Sequence, residues 1–403
     1  MNGWVPGATQ PEFNRNRAKR CGFIKPCRLA GEVPGAGALR IRAAALRVGG
    51  HLIASAVAWI MAFDAPAQSG DNAERFHEFV RTNAQAAIAR GETVVAGSDG
   101  WLFLAVELRH IGAGEFRGNA APKASRATSP DRADPLPAIV DFQRQLQSAG
   151  VELWVVPVPP KALIHASALE PNAAPNENRR ARLDVHHQAF YRRLRDEGVH
   201  VVDLTREFLD AMDSNDPPLY CRTDSHWSGH GLLLAARMLA TRIKSHDWYA
   251  GIPKGSFDIE SREVAISGDL AHGRGGKENI PLRVVGIRQG GVLERVEPAA
   301  DSPVLLLGDS HNLVFHAGND MHARGAGLPD QLAAELGFAV DLIAVRGSGA
   351  TPARVNLLRR ARRDTGYLKT KKLVIWCFAA REFTESDGWA MVPVIQTPDG
   401  NDE

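Results

Sequence analysis

The chain has 403 residues, of which 44% are hydrophobic and 23% charged, and its formal net charge is +2. A chain of this length can bury a large core, and the composition is ordinary for a globular protein. Residues 1–47 contain nine basic and two acidic side chains, so the remaining 39 basic and 44 acidic residues sum to about −5. This mildly acidic remainder gives no reason to expect nucleic-acid binding.

Residues 1–67 have the layout of a leader and signal peptide. A basic stretch precedes an apolar run from about Leu52 to Phe63, and small residues follow at Ala65 and Ala67. A membrane anchor is the alternative, but the apolar run is short for a membrane span. We therefore expect export, cleavage after Ala67 and a single mature domain over residues 68–403.

Beyond residue 70, segments with a helical period alternate with short apolar runs that are typical of buried strands. The predicted helices cover residues 137–150, 177–198, 231–243, 329–337 and 352–364. The predicted strands cover residues 151–158, 199–204, 303–310 with its turn, 338–345 and 371–378. This alternation predicts an α/β fold with a mostly parallel central sheet covered on both faces. Residues of about 255–300 are Gly-rich and lack a helical period, so we expect a small β-rich insertion there.

Two cysteines, Cys221 and Cys377, lie outside the leader. A disulfide between them is chemically possible in an exported protein. Cys377 lies in the apolar run LVIWCF, where a buried free thiol is the commoner state. We expect free thiols and keep the disulfide as the alternative.

The segment YCRTDSHWSGHG, residues 220–231, contains the pair Asp224 and His226. Ser310 follows an apolar strand, and both regions are expected at the carboxyl ends of the strands, where open α/β sheets form their sites. A serine hydroxyl becomes a good nucleophile when an imidazole takes its proton, and a carboxylate fixes the tautomer of that imidazole. Ser310, His226 and Asp224 therefore form a candidate nucleophilic triad.

Further side chains are candidates for oxyanion or substrate binding. The glycine before Asp309 permits a tight turn that leaves backbone N–H groups free for an oxyanion. Gly347 and Gly349 follow the next strand and are expected to bring a second donor over the same place. Trp227 is expected to pack under the histidine loop or to line a sugar site. Arg381 is expected to contact substrate or to form a structural ion pair.

A metal site is an alternative interpretation of the same segment. Asp224, His226 and His230 would suit zinc or iron if both histidines shared a helical turn. Glycines flank His230, however, and the sequence has no HExxH motif, so we predict no metal. The segment GRGGKEN lacks the spacing of a phosphate loop, and we predict no other cofactor. Lys161 is expected to be a solvated turn lysine, with a residue at the edge of the site as the alternative. The pair His186–His187 is expected to lie on a solvated helix face.

Seven segments occur in an order that resembles the SGNH-hydrolase-like domain of periplasmic polysaccharide O-acetyltransferases of the alginate type (AlgX/AlgJ). The resemblance extends from about Thr93 to Glu385. The segments are GSDGWLFL (97–104), VPVPPK (156–161), RTDSHWSGHG (222–231), SGDL (267–270), LLLGDSHN (305–312), RGSGA (346–350) and WCFAAREF (376–383).

The resemblance implies a three-layer α/β/α SGNH-like fold, a periplasmic location and Ser310 as nucleophile, with His226 and Asp224 preceding it in the chain. It also implies acetyl transfer to hydroxyls of an exported polysaccharide, with a membrane-bound O-acyltransferase as the supplier of acetyl groups. Two alternatives stay open. One is a carbohydrate acetylesterase that uses the same triad with water as acceptor, and the other is a non-catalytic polysaccharide-binding subunit.

Overall fold

The computed structural model describes residues 65–171, 182–212, 216–272 and 276–395. Of the predicted leader and signal peptide, residues 1–67, residues 1–64 lie outside the described residues and the last three begin the first helix. The helices are α1 Ala65–Ala89, α2 Ala105–Gly112, α3 Ala121–Ala124, α4 Pro135–Ser148, α5 Lys161–Ile164, α6 Ala166–Leu169, α7 Val185–Asp196, α8 Thr205–Asp210, α9 Gly229–Lys244, α10 Asp247–Ala250, α11 Leu328–Leu336, α12 Thr351–Arg363 and α13 Glu382–Glu385. The strands are β1 Val94–Ala96, β2 Leu102–Leu104, β3 Glu152–Val158, β4 His200–Val201, β5 Asp258–Ile266, β6 Glu278–Gln289, β7 Val292–Arg295, β8 Val304–Gly308, β9 Asp341–Ala344 and β10 Leu373–Ala379.

The central sheet consists of five parallel strands in the order β4-β3-β10-β8-β9. Every residue of β10 and of β8 is buried, as expected for parallel strands covered on both faces. Successive residues of β10 point to opposite faces. Leu373 and Ile375 belong to the hydrophobic core that includes α9 and α11, whereas Val374 and Trp376 belong to the core that includes α4, α7 and α12. The predicted α/β fold with a parallel central sheet is therefore confirmed.

The predicted β-rich insertion forms a separate antiparallel sheet, β5-β6-β7. Its long strand β6 contacts α9 and α11, and the Arg283 guanidinium lies 2.8 Å from the Glu335 carboxylate of α11. At the start of β6, Glu278 accepts hydrogen bonds from the backbone N–H groups of Arg222 and Thr223 at 2.8 and 3.0 Å. The insertion therefore supports the segment that leads to Asp224 and His226.

The five predicted helices correspond to α4, α7, α9, α11 and α12, and the five predicted strands to β3, β4, β8, β9 and β10. Strand β4 is much shorter than predicted, because the Asp203 side chain accepts a hydrogen bond from Thr205 N–H at 2.9 Å and the chain turns into α8. Residues 65–112, which carry α1, the β1–β2 hairpin and α2, were not predicted.

Both Cys221 and Cys377 are buried free thiols, so the disulfide alternative is wrong. Among the described residues, no helix is both long enough and apolar enough to cross a membrane.

Candidate active site

The turn after β8 presents Ser310. A Cβ at Gly308 would collide with the Cys377 carbonyl oxygen of the neighbouring strand, so only glycine allows this approach. The Asp309 carboxylate accepts hydrogen bonds from His311 N–H at 2.9 Å and from Ala379 N–H at 2.7 Å. These bonds hold the turn against the end of β10, and the short 3₁₀ helix Ser310–Asn312 follows.

The segment that carries the predicted Asp–His pair packs against this turn. Ser228 caps α9 by accepting hydrogen bonds from His230 N–H and Gly231 N–H. Trp227 is fully buried, and its indole N–H donates to the His311 carbonyl at 3.1 Å. The indole therefore connects the histidine segment to the serine turn, and its ring packs in the core.

His226 lies within hydrogen-bond distance of both Ser310 and Asp224. His226 Nε2 is 2.8 Å from Ser310 Oγ, and His226 Nδ1 is 2.6 Å from Asp224 Oδ1. Since an ionised carboxylate only accepts, Nδ1 carries the proton and Nε2 can accept the serine hydroxyl. Ser310 is 7% exposed and His226 6%.

The electrostatics of this group oppose the effect of burial. Burial disfavours the charged imidazole, but the hydrogen bond and the charge of Asp224 outweigh it and raise the pKa of His226 above its usual value. Burial likewise disfavours ionised Asp224, yet hydrogen bonds from His226 and His322 hold the pKa of this carboxyl well below its usual range. The carboxylate is therefore ionised at neutral pH and supports a protonated His226.

Two residues that the sequence analysis missed or misjudged hold Asp224 in place. His322 Nε2 lies 2.8 Å from Asp224 Oδ2, a contact that sequence spacing does not reveal. The Lys161 amine donates to the Asp224 carbonyl at 3.0 Å and to the carbonyls of Leu102 and Arg222 at 2.6 and 2.9 Å. Lys161 is 1% exposed and burial lowers its pKa to about 8, so the prediction of a solvated lysine is wrong.

The predicted solvation of the pair His186–His187 is also wrong for His187. His187 is 4% exposed because it lies on the core-facing side of α7, whereas His186 is only half-buried. The apolar spacing of Phe190 and Leu194, three and seven residues further on, marks this buried face.

The loop after β9 approaches the serine turn through Gly349. A Cβ at this position would lie 2.7 Å from the Phe378 Cβ and 2.9 Å from the Asp309 nitrogen, so a side chain is excluded. The Trp376 indole donates to the Gly349 carbonyl at 2.7 Å and fixes this peptide. Gly347 has φ +95°, and the space where its Cβ would lie is open. The structure thus brings Gly349 to the site and places Gly347 at the open side of the same loop.

Arg381 follows β10 and lies 3.8 Å from the buried Glu107 carboxylate. Its side chain is 12% exposed, and its Nη1 has no hydrogen-bond partner. Burial opposes ionisation, but the charges of Glu107 and Asp309 raise the pKa of Arg381 above its usual value. Its positive charge in turn contributes to lowering the pKa of Asp309 to about 2, after the larger effects of His311. Arg381 is therefore a cation near the serine turn with an unused donor.

The alternative metal site is not assembled as predicted. His230 Nδ1 lies 2.7 Å from the Pro217 carbonyl and is engaged there. Asp224, His226 and Asp269 each bring one potential ligand atom within 4.8 Å of the others. The Asp269 oxygens, however, bind Ser225 N–H and Oγ–H at 2.7 and 2.6 Å, so the cluster is a hydrogen-bonded network.

A buried serine–histidine–aspartate group at the carboxyl edge of a parallel sheet is characteristic of hydrolases and acyltransferases. The family described as the SGNH hydrolase-like domain of the acetyltransferase AlgX matches residues 94–380. This match covers most of the chain, and the chain belongs to that family.

Individual relatives match over shorter stretches. The chain is 29% identical over 151 residues to the probable alginate O-acetylase AlgJ of Pseudomonas aeruginosa. The matched stretch covers 38% of this chain and 33% of AlgJ. It is 32% identical over 125 residues to the alginate biosynthesis protein AlgX of Pseudomonas putida. That stretch covers 30% of this chain and 26% of AlgX. The matched stretches are thus about a third or less of these relatives.

The solved O-acetyltransferase domain of Pseudomonas putida AlgJ superposes with a TM-score of 0.51 at 21% identity. The superposition covers 72% of this chain and 92% of that domain. At this identity the likeness shows a shared fold, in agreement with the predicted SGNH-like architecture.

Proposed function

We propose that the chain is an O-acetyltransferase that moves acetyl groups onto hydroxyls of an exported polysaccharide. The observation that carries the proposal is the contact of 2.8 Å between His226 Nε2 and Ser310 Oγ, with Asp224 2.6 Å behind the imidazole. Membership of the AlgX acetyltransferase family supports the same activity.

In the first half-reaction, Ser310 Oγ attacks the carbonyl carbon of an acetyl donor while its proton passes to His226 Nε2. The bond between the carbonyl carbon and the donor's oxygen breaks, and His226 returns the proton to that leaving oxygen. In the second half-reaction, a sugar hydroxyl attacks the acetyl-enzyme and gives its proton to His226. Ser310 leaves with that proton, and the enzyme is regenerated.

The charged and polar neighbours suit the two transition states. Asp224 stabilises the imidazolium that forms in each half-reaction. The Ser310 N–H is the first of its 3₁₀ helix and has no acceptor within that helix, so it can donate to the oxyanion. The loop of Gly347 and Gly349 offers a second backbone donor on the same side, and Arg381 adds positive charge there.

The small exposure of Ser310 and His226 favours transfer over hydrolysis. Little of either side chain is accessible to bulk water. An acetyl group on Ser310 would therefore be sheltered from hydrolysis until a bound sugar brings a hydroxyl to it. We further infer that residues 68–403 act in the periplasm after removal of the signal peptide. A membrane-bound O-acyltransferase would supply the acetyl groups, and the names of the relatives favour an alginate-like acceptor.

The nucleophile is tested with Ser310→Ala. Release of acetate from an activated acetyl ester should fall by ~10³-fold or more, because the covalent step is removed. Ser245→Ala, on an exposed serine at the end of α9, is the control and should retain full activity. Activity that survives Ser310→Ala would remove the triad from the proposal.

The acceptor is tested with mannuronate, cello- and amino-sugar oligomers, which are incubated with enzyme and acetyl donor and analysed by mass spectrometry. A transferase should yield an acetylated oligomer and release acetate faster when the right acceptor is present, because a bound hydroxyl is held against the acetyl-enzyme. Equal acetate release with and without every oligomer, together with removal of acetyl groups from pre-acetylated oligomers, would establish an esterase.

A further inference from the structure

The two oxygens of the Asp224 carboxylate have separate sets of donors. Oδ1 accepts from the backbone N–H and the Nδ1–H of His226, at 2.9 and 2.6 Å. Oδ2 accepts from Asp269 N–H at 3.0 Å and from His322 Nε2 at 2.8 Å. Because an ionised carboxylate only accepts, His322 must carry a proton on Nε2. Two histidines therefore share one carboxylate, and only His226 touches Ser310.

His322 is held in a strained backbone conformation. Its φ of +67° and ψ of −57° are rarely adopted by a residue with a side chain. Phe315 and Asn319 in the same segment also have positive φ, at 58° and 54°. Such conformations persist where the surrounding structure imposes them, and they cluster at functional sites. Glycine would fit position 322 without strain, but it would not reach Asp224.

Backbone hydrogen bonds hold the strained segment closed. Phe315 N–H donates to the Met321 carbonyl and Gly318 N–H to the Ala323 carbonyl, both at 2.8 Å. The segment is also joined to the loop of Gly347 and Gly349, because Arg346 makes two hydrogen bonds to the Asp320 carboxylate at 2.8 and 3.0 Å. The imidazole of His322 is thereby presented to Oδ2 of Asp224, the oxygen that His226 does not contact.

We propose that His322 is a positioning residue that shares the Asp224 carboxylate with His226 and so sets how strongly His226 holds the proton taken from Ser310. This inference rests on the proposed function, because it assigns a role within the same triad. A donor on Oδ2 draws negative charge away from Oδ1, and the attraction of Asp224 for a protonated His226 becomes weaker. His226 then stays neutral, and able to accept a proton, over a wider pH range.

Other charged groups around the triad act on His226 from different sides. Asp269 favours its protonated form, whereas Arg381 opposes it. His311 lies with its ring centre 4.8 Å from that of His226. The Lys161 amine binds the backbone carbonyl of Asp224 and not its carboxylate, whose oxygens accept from the two histidines and from Asp269 N–H. None of these groups occupies the contact that His322 makes, so its removal is a selective change.

The experiment compares His322→Ala, His322→Gln and His322→Gly in the purified full-length chain. At neutral pH the Ala variant should have kcat/KM about tenfold lower, the change that loss of one hydrogen bond to a charged group produces. The acid limb of its pH profile should move to higher pH, so that much of the loss is recovered in alkaline buffer. Gln keeps an N–H donor and should restore most of the activity.

The Gly variant separates activity from stability. Its kcat/KM should be reduced as much as that of the Ala variant. Its melting temperature should equal or exceed that of the Ala variant, because glycine tolerates the positive φ. His316→Gln is the matched control, since His316 Nδ1 lies 2.9 Å from Asp330 in the same region and His316 does not contact the triad. This control should leave the pH profile unchanged.

Loss of activity without any shift of the acid limb, or a shift of the same size in His316→Gln, would overturn the positioning role. The titration of His226, followed by ¹⁵N NMR in wild type and His322→Ala, gives a readout that does not need acetyl transfer. If wild type transfers no acetyl group but the pKa of His226 rises in the variant, the acetyltransferase proposal fails and the role of His322 stands. If wild type is active and the titration does not move, the role of His322 fails alone.

Discussion

The buried histidines at two places in this protein have pKa values shifted in opposite directions. His226 contacts the Asp224 carboxylate, which raises its pKa despite burial. His110 and His187 instead contact each other, with their Nε2 atoms 2.7 Å apart, and His110 Nδ1 lies 2.8 Å from the Thr384 hydroxyl. Burial lowers the pKa of His110 well below its usual value and that of His187 to about 4.

The difference shows that burial alone does not decide the direction in which the pKa of a histidine shifts. Desolvation disfavours the imidazolium in both places, and the Asp224 carboxylate reverses this effect at His226. The pair of His110 and His187 is therefore neutral, with one ring donating and the other accepting, and it serves as a hydrogen-bonded part of the core. The protonated form of His226, in contrast, is stabilised by the Asp224 carboxylate.

Asp224→Asn should remove the difference in pKa between His226 and His187, and it should cause the largest loss of activity. The amide cannot stabilise an imidazolium and favours the wrong tautomer, so kcat for acetyl transfer should fall by about 10⁴-fold. The pKa of His226, followed by ¹⁵N NMR, should fall below its usual value, as for His187. A variant in which the pKa of His226 stays raised would mean that Asp269 supplies the stabilising charge.

Acidification should destabilise the fold through the structural pair. His187 is neutral in the folded state down to about pH 4, whereas it gains a proton near pH 6.5 when unfolded. The unfolded state thus binds more protons between these values, so stability falls as the pH is lowered through this window, by about 3 kcal/mol from His187. Urea unfolding from pH 7.5 to 4 measures this slope, and His187→Gln should flatten it.

In the same urea experiment, the contribution of His226 to stability should depend on pH in the opposite direction to that of His187. Because the folded pKa of His226 is raised, its contribution to stability is complete below the unfolded value and is lost as the pH rises through the folded value. His226→Gln should therefore lower stability more at acidic than at alkaline pH. A loss that is equal at both would contradict the assigned direction.

Removing one member of the structural pair should have a smaller effect at neutral pH. His110→Leu leaves the buried Nε2 of His187 without its partner, which costs about 1–3 kcal/mol of unfolding free energy. Acetyl transfer per folded molecule should stay at the wild-type level, because neither ring contacts Ser310 or His226. A tenfold loss of kcat in the folded protein would show that this pair is coupled to the site.

The smallest effect is expected for His186→Ala, next to His187 in sequence but half-buried. Its ring lies 5.2 Å from that of His77 and is partly solvated, so the unfolding free energy should change by less than about 0.5 kcal/mol. A loss of unfolding free energy as large as that of His110→Leu would show that burial does not determine how much each of these histidines contributes to stability.

Much of the fold was predictable because strands and helices leave periodic patterns in the sequence. The apolar runs of β3, β8 and β10 predict buried parallel strands, and all three form the middle of the sheet. The first helix was missed although Phe76, Val80 and Ala84 repeat at helical spacing and are buried. The short strands β1 and β2 have three residues each, too few for a periodic pattern.

The candidate site was predictable only in part. Asp224, His226 and Ser310 stand out because they follow or precede recognisable elements and have the residue types that acyl transfer requires. Lys161 could not be assigned, because its amine binds carbonyls 59, 61 and 63 residues away in the chain. His322 could not be assigned either, since its contact with Asp224 spans 98 residues and depends on a strained turn.

The sequence by itself determined the order of strands and helices, the class of fold and the side chains able to do acyl transfer, because these follow from local pattern and residue type. Only the tertiary structure decided which histidine lies against Ser310, which contacts the second oxygen of Asp224 and which is a neutral part of the core. The imidazoles of His226 and His187 are chemically identical and both are buried, but only His226 has the Asp224 carboxylate within hydrogen-bond distance, so their pKa values shift in opposite directions.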